Sequence, residues 1–288
     1  MITVKVQSKG EEVFILQRLL RKVGYVIAVD GDFGSNTNRA VRDFQFSQSL
    51  IADGVVNDLT WEILFKKSFK NGEDPLGTDI YQHDSTDDES FWEEVRTKYF
   101  FCYVKSSEGS SWNDPKFKEH IKKLEEHQIL RGGYHFFRML NDDVHGQIRN
   151  FLDSGLDYRQ KGVLPPVLDI EPTLREWKNA SVLIDNRVDI AKRLKKWLVE
   201  VEHKTGKQPI IYTSREIWEN ILHAPAGFGH YPLWLANYSP VTKPTIPMGW
   251  SNYTIWQFTE EGVIGGKSGF DINRVNLPLP ELLTMAGF

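Results

Sequence analysis

Val13, Leu16, Leu19, Leu20 and Val23 recur at helical spacing and stop at Gly24, and Ala40, Val41 and Phe44 open a second face of the same kind. From Leu76 onward the pattern changes to short apolar runs alternating with longer amphipathic stretches, as βα units require. Strand candidates end near Asp79, Lys105, His135, Glu171, Thr213, Tyr238, Phe258 and Asp271. Phe117, Ile121 and Leu124 mark one helix between them, and Ile190, Leu194, Trp197, Leu198 and Val201 another. The pattern predicts an α/β chain: an irregular (β/α) barrel preceded by a small three-helix domain. It divides into residues 1–70, a linker at 71–76 signalled by Asn71-Gly72-Glu73-Asp74-Pro75, and the barrel at 77–288. Roughly 210 residues is short for a regular barrel of about 250, so some helices must be short or missing.

Within the first part a weak repeat stands out. Asp30-Gly31 is followed by Thr37, and Asp53-Gly54 by Thr60, with the same spacing. Each Asp-Gly reads as a tight turn and each Thr as a helix N-cap, with Trp61 a core residue rather than a sugar platform.

Charge and composition then remove several functions. A formal net charge of -4 gives no cationic field for nucleic acid. The single Cys102 lies in the apolar run Tyr99-Phe100-Phe101-Cys102-Tyr103-Val104, which reads as a buried strand and makes no disulfide or thiolate cluster. No apolar stretch is long enough for a membrane span, and Met1-Ile2-Thr3-Val4-Lys5 does not begin a signal peptide, so the expectation is synthesis in the cytoplasm and release by another route. A monomer without cofactor or metal is expected. Nine Trp suit a sugar partner, because indole rings stack on sugar faces.

The chemistry is expected where barrel strands run out. In Val167-Leu168-Asp169-Ile170-Glu171-Pro172 the two acids are i and i+2 on one strand face, with Cα atoms roughly 6 to 7 Å apart. A pair so placed and partly desolvated holds one proton near neutral pH, which suits Glu171 as general acid and Asp169 as its ionised partner. Two acids satisfying helix N-termini at a loop edge is the competing account. Asp79 and Asp271 end the first and last strands, adjacent in a closed barrel, so four acids crowd one mouth. A fold gains no stability from that crowding, which favours a functional site, a divalent metal being the other explanation.

Gly77-Thr78-Asp79-Ile80, Val104-Lys105-Ser106-Ser107-Glu108-Gly109, Gly133-Tyr134-His135-Phe136, Leu168-Asp169-Ile170-Glu171, Ile211-Tyr212-Thr213, Leu233-Trp234-Leu235-Ala236-Asn237-Tyr238, Ile255-Trp256-Gln257-Phe258 and Phe270-Asp271-Ile272-Asn273 follow one another across the barrel. As an ordered set they resemble the family 25 glycoside hydrolases, lysozymes of the N-acetylmuramidase type. Residues 1 to 68, with their Asp-Gly turns, resemble the peptidoglycan-binding domain of wall hydrolases. The resemblance implies hydrolysis of the β-1,4 bond between N-acetylmuramic acid and N-acetylglucosamine in bacterial peptidoglycan. It makes Glu171 the acid, Asp169 its partner, and Asp79 and Asp271 the acids that shape the pocket. Tyr134, Tyr212, Trp234, Tyr238 and Gln257 would contact the sugar, as would Lys105 and His135, which are equally readable as structural donors. After Tyr81-Gln82 the family's Trp-Gln-Gly segment is replaced by His83-Asp84-Ser85. Retaining, inverting and acetamido-assisted mechanisms all stay open, the last being preferred.

Other signals are weaker. Gly265-Gly266-Lys267-Ser268 lacks the first glycine of a phosphate loop, with Glu261 in its place, and reads as a hairpin before the last strand. A zinc amidase or peptidase is the rival enzyme, but no His-Glu-x-x-His is present, and His120 and His127 read as solvated. A wall-binding protein without catalysis is the remaining alternative.

Overall fold

The computed structural model describes residues 3–69, 74–141 and 143–288. Helices α1 (Glu11–Lys22), α2 (Ser35–Ser47) and α3 (Asp58–Ser68) form an N-terminal layer. Their core includes Leu16, Leu20, Val41, Phe44, Trp61 and Leu64. The Asp-Gly repeat has a physical cause: a buried glutamine from the preceding helix holds each loop. Gln17 Oε1 accepts from the N–H groups of Asp30 and Gly31 at 2.9 and 2.8 Å, while its Nε2 donates to Asp30 Oδ1 and Thr37 Oγ1. Gln45 accepts from Gly54 N–H at 2.9 Å and donates to Asp53 Oδ1 and Thr60 Oγ1. This corrects the expected threonine caps. Gly34 and Asn57 occupy the cap positions, and Thr37 and Thr60 sit inside the first turns, where the glutamines reach them. Gln45→Ala leaves the buried Gly54 N–H unpaired, so it is expected to destabilise this layer by about 1–3 kcal/mol, measured as a lower urea midpoint at unchanged slope.

Behind it, among the described residues, lie nine strands: β1 (Leu76–Ile80), β2 (Tyr99–Glu108), β3 (Trp112–Asn113), β4 (Leu130–Phe136), β5 (Val167–Asp169), β6 (Ile210–Ser214), β7 (Leu233–Ala236), β8 (Ile255–Ile264) and β9 (Lys267–Val275). They form one sheet in the order β1-β9-β8-β7-β6-β5-β4-β2-β3, and pairing of β1 with β2 closes all but β3 into a barrel. Helices α4 (Glu89–Lys98), α5 (Phe117–Glu126), α6 (Val144–Leu152), α7 (Leu174–Trp177), α8 (Ala180–Asp185) and α9 (Arg187–Thr205) follow the strands, and α10 (Leu279–Met285) ends the chain. After β6 a π-helical turn at Glu216–Ile221 stands in for a helix, and the described segment between β7 and β8 has none.

The last strand departs from the expected pattern. β9 runs antiparallel to both β8 and β1, so Asp271 lies within a strand rather than at its end. The cause is the turn at Gly265-Gly266, whose φ values of 61° and 77° reverse the chain as a tight hairpin does. Inside the barrel, Phe101 and Tyr103 fill space opened by facing glycines: a Cβ on Gly77 or Gly132 would lie 2.1 or 2.2 Å from their ring carbons.

The N-terminal layer is docked on the end of the barrel where the parallel strands begin. Arg18 donates to Thr97 O and Tyr99 O and lies 4.3 Å over the Phe100 ring. Arg131, in β4, pairs with Glu11 of α1, their side chains 3% and 13% exposed. One apolar core runs from α1 to α3 through Phe101, Tyr103 and Leu130 to Leu282 and Leu283 of α10. Of the expected linker, Asn71, Gly72 and Glu73 fall outside the described residues, and Leu76 already belongs to β1. Among the described residues no helix is long and apolar enough to cross a membrane.

Candidate active site

At the opposite end of the barrel a pocket is lined by Asp79, Tyr134, Val167, Asp169, Glu171, Tyr212, Trp234, Gln257 and Asp271. Chain topology explains the convergence. Asp79 and Asp271 face each other across the antiparallel β1–β9 ladder. Asp169 closes β5, its carbonyl accepting from Phe137 N–H while the next residue, Ile170, donates to Tyr212 O. Glu171 lies beyond the ladder, two residues past the last paired position. Pro172 disfavours helical backbone at Glu171, so the alternation that puts both acids on one face persists there.

Asp79 is the most heavily bonded of the four acids. Gln257 Nε2 donates to its two oxygens at 3.0 and 3.2 Å, and Asn273 Nδ2 donates to Oδ1 at 2.8 Å. Gln257 Oε1 in turn accepts from the hydroxyls of Tyr212 and Tyr238 at 2.7 and 2.6 Å, and Asn273 Oδ1 accepts from Trp234 Nε1 at 2.8 Å. Asp271 is pushed up to about 9 by burial and by the charge of Asp79, and donates a hydrogen bond to it. Burial likewise raises Glu171 to about 7, and burial with the Glu171 charge raises Asp169 well above the carboxylate range. The Glu171 charge acts directly on Asp169, so the two acids titrate as a pair rather than separately. Asp169, expected as the ionised partner, is thus raised together with Glu171. Asp169 Oδ1 is buried and has no hydrogen-bond partner among the described residues.

The remaining expected contacts divide. Trp234 is buried, wedged between Tyr103 and Tyr212, so it makes the floor and is not a stacking face. Tyr238 stands exposed at the rim. Lys105 is ion-paired to Glu108 at 2.7 Å, and its charge is felt by Asp169 and Glu171. His135 is corrected outright. It is fully buried behind the barrel wall, 5.7 Å from the Trp197 ring, with its ring nitrogens bonded to Ser107 and Gln147. Burial drops it to about 3, so it is a neutral structural residue.

The expectation for the helix histidines fails as well. His120 is buried against Thr86, and His127 stacks on Trp92. Glu89, Glu93 and His127 form a grouping of possible metal ligands, but on helix α4 and the end of α5, away from the acids.

Residues 78–267 match the model of glycosyl hydrolases family 25. The chain belongs to that family. Residues 9–64 match a peptidoglycan binding domain. Curated relatives include the uncharacterized protein YegX of Escherichia coli, 34% identical over 63% of this chain and 61% of that protein. Lysozyme M1 of Streptomyces globisporus is 29% identical over 68% of this chain and 66% of its own length. The match thus spans somewhat less than two thirds of these relatives. A family 25 lysozyme from Aspergillus fumigatus superposes with a TM-score of 0.66 at 29% identity, covering 75% of this chain and all of that one, and a Streptomyces coelicolor lysozyme gives 0.65 at 25%.

Groups bonded to the pocket's lining residues, or acting on their charge, escaped the sequence reading. Asn273, which bridges Trp234 and Asp79, is two residues past Asp271, and the same i, i+2 logic that joined Asp169 to Glu171 points to it. Asp84, in the His83-Asp84-Ser85 segment after β1, accepts from Tyr81 N–H at 2.6 Å and is raised to about 7, chiefly by burial and also by Asp79. Glu108 and Arg138, ion-paired at 2.5 Å, had no signal beyond position near strand ends.

Proposed function

We propose that this chain is a muramidase that hydrolyses the β-1,4 bond between N-acetylmuramic acid and N-acetylglucosamine in peptidoglycan. The observation that carries the reading is one pocket holding Asp169 and Glu171, both raised by burial, beside the separately anchored Asp79–Asp271 pair. Relatives named lysozyme and N,O-diacetylmuramidase support it, and so does the peptidoglycan-binding match of the N-terminal layer. Glu171 protonates the leaving oxygen. Asp169 Oδ1, buried without a partner among the described residues, is placed to accept the N–H of an acetamido group, which turns that group's oxygen toward the anomeric carbon. Asp79 fixes Gln257 and, through it, the two tyrosines that shape the sugar site. All four acids come from a single barrel, and the protein is taken to act on the wall as a monomer.

Release of reducing ends from purified peptidoglycan tests the activity, with retained anomeric configuration by NMR in the first turnovers; inversion would remove the acetamido route. The pH profile supplies a second check. An acid raised to about 7 keeps its proton below that pH and loses it above, so kcat/KM is expected to fall on the alkaline side with an apparent midpoint near 7. A profile flat through that range would contradict Glu171 as the acid.

A further inference from the structure

We propose that Arg138 forms a subsite for a carboxylate on the substrate, and that it makes the enzyme prefer glycan whose muramic residues are charged. The inference rests on the muramidase reading. The mouth is otherwise hostile to an anion: the charges of Asp79, Asp84, Glu171 and Glu260 oppose ionisation of neighbouring acids there. A muramic residue carries a lactyl group that is itself a carboxylic acid or the anchor of a carboxylate-bearing peptide. A cation beside the mouth offsets that repulsion and favours such a substrate.

The β2–β4 side supplies one. Glu108, the last residue of β2, holds Lys105 Nζ at 2.7 Å with one oxygen and Arg138 Nη2 at 2.5 Å with the other. Two cations against one anion leave this side with a surplus positive charge. Lys105 is largely covered, 4.6 Å from the Phe136 ring centroid and 5.1 Å from that of Trp112. Arg138 is 41% exposed, and a guanidinium has five donors, so the contact to Glu108 leaves others for a ligand carboxylate.

Its placement is fixed rather than incidental. The neighbouring Phe137 N–H donates to the carbonyl of Asp169. The backbone of Arg138 is held on both sides by the buried amide of Gln147, which accepts from its N–H at 2.9 Å and donates to its carbonyl at 3.1 Å. Gly109 leaves room for the side chain, since a Cβ there would lie 3.0 Å from Arg138 Cγ. The arginine therefore rises from an anchored point one residue along from the segment bonded to Asp169.

The test uses the full chain and two tetrasaccharides of alternating N-acetylglucosamine and N-acetylmuramic acid, one with free lactyl carboxylates and one with lactyl carboxamides. The wild type is expected to favour the charged substrate, less so as salt rises, and Arg138→Ala to lower the charged-to-neutral ratio of kcat/KM by about tenfold, with Arg138→Lys retaining part of it. A ratio that is unchanged in Arg138→Ala, or a wild-type ratio that ignores salt, would overturn the proposal. The ratio is internal to each variant, so partial misfolding does not mimic the effect. Cleavage of both substrates without discrimination strikes this inference alone, whereas cleavage of neither strikes the muramidase reading beneath it.

Discussion

Glu171→Gln is expected to lower kcat on purified peptidoglycan by about 10²–10⁴-fold while wall binding persists, because glutamine keeps the shape of the side chain and removes its transferable proton. The substitution also separates the two acids. Burial together with the charge of Glu171 raises Asp169, so in the variant Asp169 loses the like-charge part of that rise and titrates lower. Carboxyl resonances followed by NMR across pH would report that shift. Near-normal turnover in the variant would place the acid elsewhere in the pocket, with Asp169 the next residue to examine.

Arg131→Ala is expected to cost about 3–5 kcal/mol of stability, the usual consequence of removing one partner from a buried ion pair. Glu11 would be left largely buried without its counter-charge, at the seam where α1 meets β4. The apolar core is continuous across that seam, so the loss should lower the thermal midpoint of the N-terminal layer and the barrel together. Two separate transitions, with only the first shifted, would show instead that the layer unfolds independently of the barrel. The exposed pair Arg159–Asp157 is a suitable control, since a solvated surface pair contributes little to stability.

Much of the barrel was legible because its strands are apolar runs cut by turns, and each of the eight expected strands has a counterpart in the closed sheet. The direction of the last one was readable too. A Gly-Gly hairpin joining β8 to β9 requires antiparallel neighbours, and that direction sets Asp271 directly opposite Asp79. The histidines of α5 were obscured by their charged surroundings. Yet His120, Leu124 and His127 are spaced i, i+4 and i+7, so both rings share the face that carries a core leucine. His135 was mistaken for the opposite reason. It ends a strand beside true pocket residues, but alternation turns its ring to the helix side while Tyr134 faces the pocket.

Docking of the two parts was not legible at all. Arg18 and Arg131 look like ordinary surface charges in the sequence, and what buries them is a tertiary contact between segments roughly 80 to 120 residues apart, with no local pattern to announce it. The glutamines that lock the Asp-Gly loops escaped notice similarly, since an uncharged polar residue on a helix gives no sign of being buried until its partners are known.

The central claim concerns which bond the acid pocket opens. Peptidoglycan digested with the full chain, reduced with borohydride and analysed by mass spectrometry identifies that bond from the sugar found at the new reducing end. The account predicts reduced N-acetylmuramic acid on every released fragment. Reduced N-acetylglucosamine, or new amino groups without any new reducing end, would contradict it.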